Sequence, residues 1–292
     1  MAELGATMRV LRPAPDVFAF YDGRVGVQRA WSEAPNWLDD GAYTLGACSY
    51  AIVHGGDALV WDTHISPEHA ALIRRTLVDA GAQSIRVALS HWHADHVAGN
   101  AVFADCEIIA NARTLRTLED NRAKLETGNP PIRPLVLPTR SFDDALRLQV
   151  GAVTVDLLQF DIHSRDGTVA LLPERQLLLA GDTLEDPITY VAEPDRLEQH
   201  LVDLDRLSRL PVDRILPSHG SPDVIGVGGY GPGLIDANRR YVQNLLRSRN
   251  DAELASRDLK SFIDADLRAD VVGYHAAYEQ VHRRNVERVV AA

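Results

Sequence analysis

The residues best suited to chemistry lie in one short run, His91-Trp92-His93-Ala94-Asp95-His96, which holds three imidazoles and a carboxylate. These are the donor types that suit zinc and related transition-metal ions. The bland alternative is a polar loop with fortuitous histidines. More groups of the same kind recur downstream: His163 in Asp161-Ile-His-Ser-Arg-Asp-Gly167, Asp182 in Gly181-Asp-Thr183 and His219 in Pro217-Ser-His-Gly220.

A tight turn at a strand end can aim several side chains at one point, and the elements supply such ends. Ile85 to Ser90 reads as a buried-type strand running into the His91 motif. His163, Asp182 and His219 also stand at predicted strand ends. Earlier, Val17 to Tyr21, Arg24 to Trp31, Ser49 to His54 and Ala58 to Asp62 are β-rich, and His54-Gly55-Gly56-Asp57 reads as a hairpin turn. Ser66-Pro67 opens a helix expected over 67 to 80, with Ser66 as its cap and Gly81 as its terminator. Cys106 to Ala110 and Asn111 to Leu125 read as a strand and a helix, and the proline-rich stretch from Thr127 to Pro138 as an irregular connector. A second strand set follows, at Leu146 to Val150, Val153 to Phe160, Thr168 to Leu172 and Gln176 to Gly181. A helix from Leu197 to near Pro211 and a strand at Arg214 to Leu216 complete it, and beyond the glycine cluster at 226 to 233 the chain reads as helical. Two sheet-rich halves, each closed by helices, make a layered α/β sandwich. The expected division is a catalytic part over 1–235 and a C-terminal helical extension over 236–292.

Composition excludes several classes. The chain has 292 residues, 46% apolar and 24% charged, far from the composition of disordered chains. Its formal charge of −11 opposes a nucleic-acid partner, the more so because the last 57 positions are nearly neutral and the acid excess falls on the first 235. No apolar run approaches the ~18 residues of a membrane helix, and Met1 to Arg12 show no secretory signal. Two cysteines, Cys48 and Cys106, make no disulfide framework. The expectation is a cytoplasmic chain acting on a small molecule. Val281, Val286 and Val290 either cover the core or pair with a second copy as a homodimer.

From Asp62 to His219 the motif and the later residues resemble the metallo-β-lactamase superfamily of hydrolases. The resemblance implies an α/β fold, an αββα sandwich of two mixed β-sheets flanked by helices, here with a C-terminal helical extension. It also implies that His91, His93 and His163 bind one metal ion, that Asp95, His96 and His219 bind a second, and that Asp182 bridges the two. This seven-residue set is similar to that of the glyoxalase II, lactonase and phosphodiesterase branches. True β-lactamases usually lack the bridging aspartate. Two divalent ions, zinc first with iron or manganese also accommodated, would share a hydroxide that attacks an ester, lactone or thioester carbonyl or a phosphoryl centre. Asp95 would orient that hydroxide. The rival class is a one-iron oxygenase like the persulfide dioxygenases, with iron on His91, His163 and Asp182; β-lactamase-like and phosphodiesterase or nuclease activities are further alternatives on the same fold.

The chain departs from the family pattern at His64, where glycine usually follows Asp62-Thr63, at Ser90, where threonine is common, and at Ala98, which leaves Gly99 as the remaining glycine of a pair. His64 reads as a surface histidine or as a pocket residue. Glu185 occupies the place where lactonases often carry a tyrosine, which leaves Tyr190 as a catalytic candidate that could donate to the developing oxyanion, or as an aromatic packed under its loop. Trp31 and Trp37 could wall an acyl pocket, whereas Trp92 reads as packing. Arg239 and Arg240 read as a solvated helix face. The glycine cluster reads as a lid or connector beside His219, with Tyr230 as a candidate pocket wall.

Overall fold

The computed structural model describes residues 4–23 and 31–292. Seven strands, β1 (Arg9–Ala14), β2 (Val17–Asp22), β3 (Ala47–His54), β4 (Asp57–Trp61), β5 (Ser84–Ala88), β6 (Glu107–Asn111) and β7 (Arg140–Phe142), form one sheet in sequence order. It is antiparallel from β1 to β4 and parallel from β4 to β7. The second sheet holds β8 (Ala145–Val150), β9 (Val153–Gln159), β10 (Thr168–Leu172), β11 (Leu177–Gly181) and β12 (Arg214–Pro217), in the order β12-β11-β10-β9-β8. Only β11 and β12 are parallel there.

The helices are α1 (Gly41–Leu45), α2 (Pro67–Asp79), α3 (Ala94–Val97), α4 (Ala112–Asp120), α5 (Arg122–Glu126), α6 (Leu197–Leu207), α7 (Pro222–Gly226), α8 (Gly233–Ser248), the short α9 (Ala252–Ala255), α10 (Leu259–Phe262) and α11 (Asp264–Arg268), and α12 (Tyr278–Ala291). Side-chain alternation sorts the first sheet's residues into two cores. Tyr50, Ile52, Leu59 and Trp61 face inward to meet Leu148, Val155 and Leu157 of the second sheet. Ala51, Ala58 and Val60, one residue out of step, meet Ile73 and Leu77 of α2. Leu204 of α6, Leu245 of α8 and Val281 of α12 join the larger core. The expected αββα sandwich of two mixed sheets with helices on both sides is therefore the observed fold. Among the described residues no helix is long and apolar enough to cross a membrane.

Most expected elements lie within a residue or two of their predicted bounds. Ser66 caps α2 by accepting from His69 N–H, as its position ahead of Pro67 requires. The strand expected over 24–31 falls outside the described residues except for Trp31, which lies in no strand. The single helix expected from Asn111 to Leu125 is two, α4 and α5, separated at Asn121 with φ −100° and ψ 8°. Strands β1 and β7 and helix α1 had no readable periodicity. The glycine cluster is pinned rather than lid-like: Ile215 and Tyr230 exchange both backbone hydrogen bonds at 2.8 Å. Helix α8 runs across the 235/236 boundary, and Val281 and Val286 are buried within the chain while Val290 is exposed.

A buried network anchors β2 to α2. Asp22 accepts from Thr7 Oγ1 at 2.5 Å and faces His69 Nε2 at 2.5 Å, and His69 Nδ1 lies 2.8 Å from Ser66 Oγ. Burial opposes the Asp22 charge, yet the hydrogen bonds from His69 and Thr7 prevail and hold its carboxyl at about 2. A folded value below the unfolded one means the stabilisation is complete above pH ~4 and is lost as pH falls toward 2. In metal-free protein, Asp22→Asn is expected to cost about 2 kcal/mol at pH 7. The gap to wild type, read from urea midpoints, should close on titration from pH 5 to 2.5; a constant gap would refute the assignment.

Candidate metal centre

Strands β4, β5, β9, β11 and β12 all end at one edge of the sandwich, and each delivers a polar group within four residues of its end. Asp62 follows β4, His91 follows the Leu89-Ser90 step after β5, and His163 follows β9. Asp182 follows β11, and His219 lies two residues past β12. Helix α3 turns the motif back on itself so that Asp95 and His96 join His91 and His93. Gly99 makes that turn possible, since a Cβ there would stand 2.2 Å from the Thr63 carbonyl oxygen and 2.4 Å from Ala70 Cβ. Gly181 takes φ +57° beside Ser90, which lets Asp182 approach the motif. Across the two sheets, Thr168 N–H donates to Ser90 O and Cys48 N–H to Ser218 O, both at 2.8 Å.

The seven groups form two clusters sharing one carboxylate. His91, His93, His163 and Asp182 offer donor atoms within 4.8 Å of one another, and so do Asp95, His96, Asp182 and His219. In the first cluster His93 Nδ1 lies 2.9 Å from His91 Nε2 and 3.0 Å from His163 Nε2. Asp182 Oδ2 is 3.7 Å from His91 Nε2 and 3.6 Å from His163 Nε2. In the second, His96 Nε2 is 3.1 Å from Asp95 Oδ2 and 3.2 Å from Asp182 Oδ2. His219 Nε2 stands 3.2 and 3.6 Å from the same two oxygens.

These residues fit a metal ion. Tetrahedral zinc with ligands at about 2.0–2.1 Å places its donors roughly 3.3 Å apart, which is the spacing found here. His96 Nε2 and Asp182 Oδ1 are buried without a hydrogen-bond partner, a costly state that a cation relieves. Burial and the neighbouring His163 push His93 down to about 3, and burial with His96 and His93 lowers His91 as well, so both rings are neutral and their lone pairs are free. His96 and His219 are raised despite burial, because the Asp182 and Asp95 carboxylates face them where a cation's charge would sit.

A second layer fixes which nitrogen of His96, His219 and His91 points inward. His96 Nδ1 is 2.8 Å from Asp62 Oδ2, while Asp62 Oδ1 accepts from Ser90 N–H at 2.7 Å. His219 Nδ1 donates to the Gly46 carbonyl at 2.7 Å, and His91 Nδ1 lies 3.0 Å from Ser90 Oγ. Behind His163, Glu185 Oε1 stands 3.5 Å from Nδ1, accepts from Tyr190 N–H at 2.9 Å, and its Oε2 accepts from the Tyr278 hydroxyl at 3.3 Å. The sequence had marked Glu185 only as a replaced tyrosine. Tyr43 carried no signal at all, yet its ring stands edge-on to His219 at 5.9 Å, and burial together with Asp95 raises its hydroxyl.

A cavity of about 550 Å³ opens over the clusters, walled by Trp37, Tyr43, Trp92, Leu125, Ile132 and Tyr190. Trp37 is fixed by its Nε1 donating to Pro130 O at 2.9 Å, so the proline-rich connector builds one wall. Tyr190 faces the cavity, with its ring 6.1 Å from that of His163. Several sequence expectations change. Trp92 lines the cavity rather than only packing, and Trp31 is exposed and bonded to Asn129 outside it. His64 is fully buried and stacked on His69 at 4.4 Å, neither surface nor pocket, with φ +69° where glycine would be unstrained. Tyr230 is a buried brace, donating to Asp186 and accepting from Ser221 N–H at 2.7 Å each. Arg239 and Arg240 pair with Asp236 and Asp266, away from the cavity.

Because Asp62 fixes His96, Asp62→Asn is expected to weaken binding at the second cluster about 10- to 100-fold. Competition with a chromogenic chelator measures this; unchanged affinity would show that Asp62 merely buttresses the loop.

Comparison with known proteins agrees with the geometry. The metallo-beta-lactamase superfamily profile matches residues 43–219. Over 183 residues the chain is 26% identical to a beta-lactamase-like protein 2 homolog of Caenorhabditis elegans, covering 62% of this chain and 58% of that one. Over 182 residues it is 27% identical to an atrochrysone carboxyl ACP thioesterase of a Cryptosporiopsis species, covering 62% and 51%. A second atrochrysone carboxyl ACP thioesterase, of Pseudocercospora fijiensis, is 28% identical over 146 residues, covering 49% and 39%, so the chain spans between about two fifths and three fifths of the length of these relatives. Among solved structures, a metallo-beta-lactamase from Pontibacter korlensis superposes with a TM-score of 0.62 at 15% identity, covering 81% of this chain and 99% of that one, a likeness of fold alone. The chain belongs to the metallo-beta-lactamase superfamily.

Proposed function

We propose that the protein is a dinuclear zinc hydrolase that cleaves a thioester or ester of a small, largely apolar acyl group. The observation that carries this reading is the single carboxylate oxygen, Asp182 Oδ2, lying within 3.7 Å of donor nitrogens from both clusters. The complete second cluster supports two ions over the one-iron alternative, for which Asp95, His96 and His219 would be superfluous. The apolar walls Trp37, Trp92, Leu125 and Ile132 support an acyl occupant, and the thioesterase names of two relatives support the thioester within the ester class.

His91, His93, His163 and Asp182 would hold one ion, and Asp95, His96, Asp182 and His219 the other. Such ions lower the pKa of water toward neutrality and polarise a carbonyl oxygen. The chain's own groups then divide the remaining work. Asp95 faces the cavity between His96 and His219, placed to take the proton as water adds to the carbonyl carbon and to hand it to the leaving sulfur or oxygen. A carbon–oxygen bond forms, the carbon–sulfur or ester bond breaks, and an acid and a thiol or alcohol leave. Tyr190 donates its hydroxyl hydrogen toward the carbonyl oxygen from the His163 side. The tryptophan walls exclude water from the acyl group.

Chelation should abolish hydrolysis of an aryl thioester, and two equivalents of zinc should restore it. Asp182→Asn is expected to reduce kcat at least about 100-fold and to lower bound zinc below two per chain. A variant that keeps two ions and full turnover would overturn the scheme.

A further inference from the structure

Two cations that line the cavity stand over its aromatic walls. The Arg288 guanidinium of α12 lies 4.8 Å over the Tyr190 ring, held by a 2.8 Å hydrogen bond to Val191 O. The Lys124 ammonium of α5 lies 5.3 Å from the Trp92 ring. Tyr190 is in turn 6.1 Å from the His163 ring and Trp92 is 5.0 Å from the His93 ring, which bounds each cation at about 11 Å from a histidine of the cluster. Their neighbours on the same helices are paired, Arg284 with Asp40 at 2.7 Å and Arg122 with Glu126 at 3.1 Å. Among the described residues neither Lys124 nor Arg288 has a carboxylate partner. Both line the cavity, so in a chain of net charge −11 a negative group entering it would meet two cations there.

We propose that Lys124 and Arg288 bind an anionic group on the substrate, so that the preferred substrate is an acyl thioester or ester carrying a carboxylate or phosphate. This rests on the hydrolase reading above and narrows its substrate class. Charge-assisted hydrogen bonds from a guanidinium and an ammonium are the interactions such a group would gain. Arg288 also gives the C-terminal helix a part in the site, since α12 brings it over the ring of a cavity wall.

The test compares benzoyl thioesters of three thiols on the zinc-loaded protein: N-acetylcysteamine, which is neutral, 3-mercaptopropionate, which carries a carboxylate, and 4′-phosphopantetheine, which carries a phosphate. The charged thioesters should show lower KM than the neutral one, and a larger preference for one of them identifies which anion the site takes. Arg288→Met and Lys124→Met should each raise the KM of the charged thioesters about 5- to 10-fold with kcat little changed, and shrink the preference over the neutral thioester. Arg283→Met, an exposed cation of the same helix outside the cavity, should leave the ratios as in wild type. Equal KM values for all three thioesters, or a charge preference that survives both substitutions, would overturn the proposal. If no thioester is turned over, the hydrolase reading fails by itself. Anion binding is then read from tryptophan quenching by free 4′-phosphopantetheine and 3-mercaptopropionate, where affinities equal in wild type and both variants overturn the proposal.

Discussion

Five imidazoles and two carboxylates crowd one edge of the sandwich at separations of about 3 to 4 Å, and that crowding is the constraint on which the other features of this edge depend. Without a cation the arrangement is costly. Neutral rings turn lone pairs toward one another, and buried acceptors such as Asp182 Oδ1 lack partners. With cations at the two foci the same contacts become attractive. The energy that binds the ions is also energy that holds the strand ends together, so metal content and stability should rise and fall as one.

The architecture meets this constraint through strand direction. Parallel pairing of β4 with β5, and of β11 with β12, puts Asp62, the histidine motif, Asp182 and His219 at the same edge, and β9 runs in the direction of β11 to bring His163 there. Three of the five rings are locked from behind by different parts of the chain, His96 by Asp62, His219 by the Gly46 carbonyl and His91 by Ser90, and Glu185 stands 3.5 Å behind His163. Glu185 is itself held by Tyr278 of α12, so the C-terminal helices reach the centre indirectly. Backbone left-handed at Asp62, His64 and His163 marks the same edge as a place where local strain is tolerated because the surroundings determine the geometry.

What could be read from the sequence follows from how local each feature is. The His91 motif is contiguous, so its donor chemistry needs no tertiary information. Apolar runs such as β10 and β11, and the Ser66-Pro67 helix start, likewise declare themselves within a few residues. Features made by distant partners were not legible. His64 looks like any polar loop residue until His69 is found stacked on it, and Tyr230 looks like a cavity wall until Asp186 takes its hydroxyl. Trp92 packs against the core and also lines the cavity, because α5 and the connector after it build a cavity wall beside it. Glu185, Tyr43 and Arg288 acquire meaning only from what stands opposite them. The break at Asn121 and the short edge strand β7 carry too little periodicity to register.

The most direct test of the proposed two-ion centre is anomalous scattering at the zinc edge from crystals of the zinc-loaded protein. Two peaks about 3.5–4 Å apart, one beside His91, His93 and His163 and the other beside Asp95, His96 and His219, with Asp182 between them, are expected. A single peak under saturating zinc, or one lying outside these seven side chains, would contradict it.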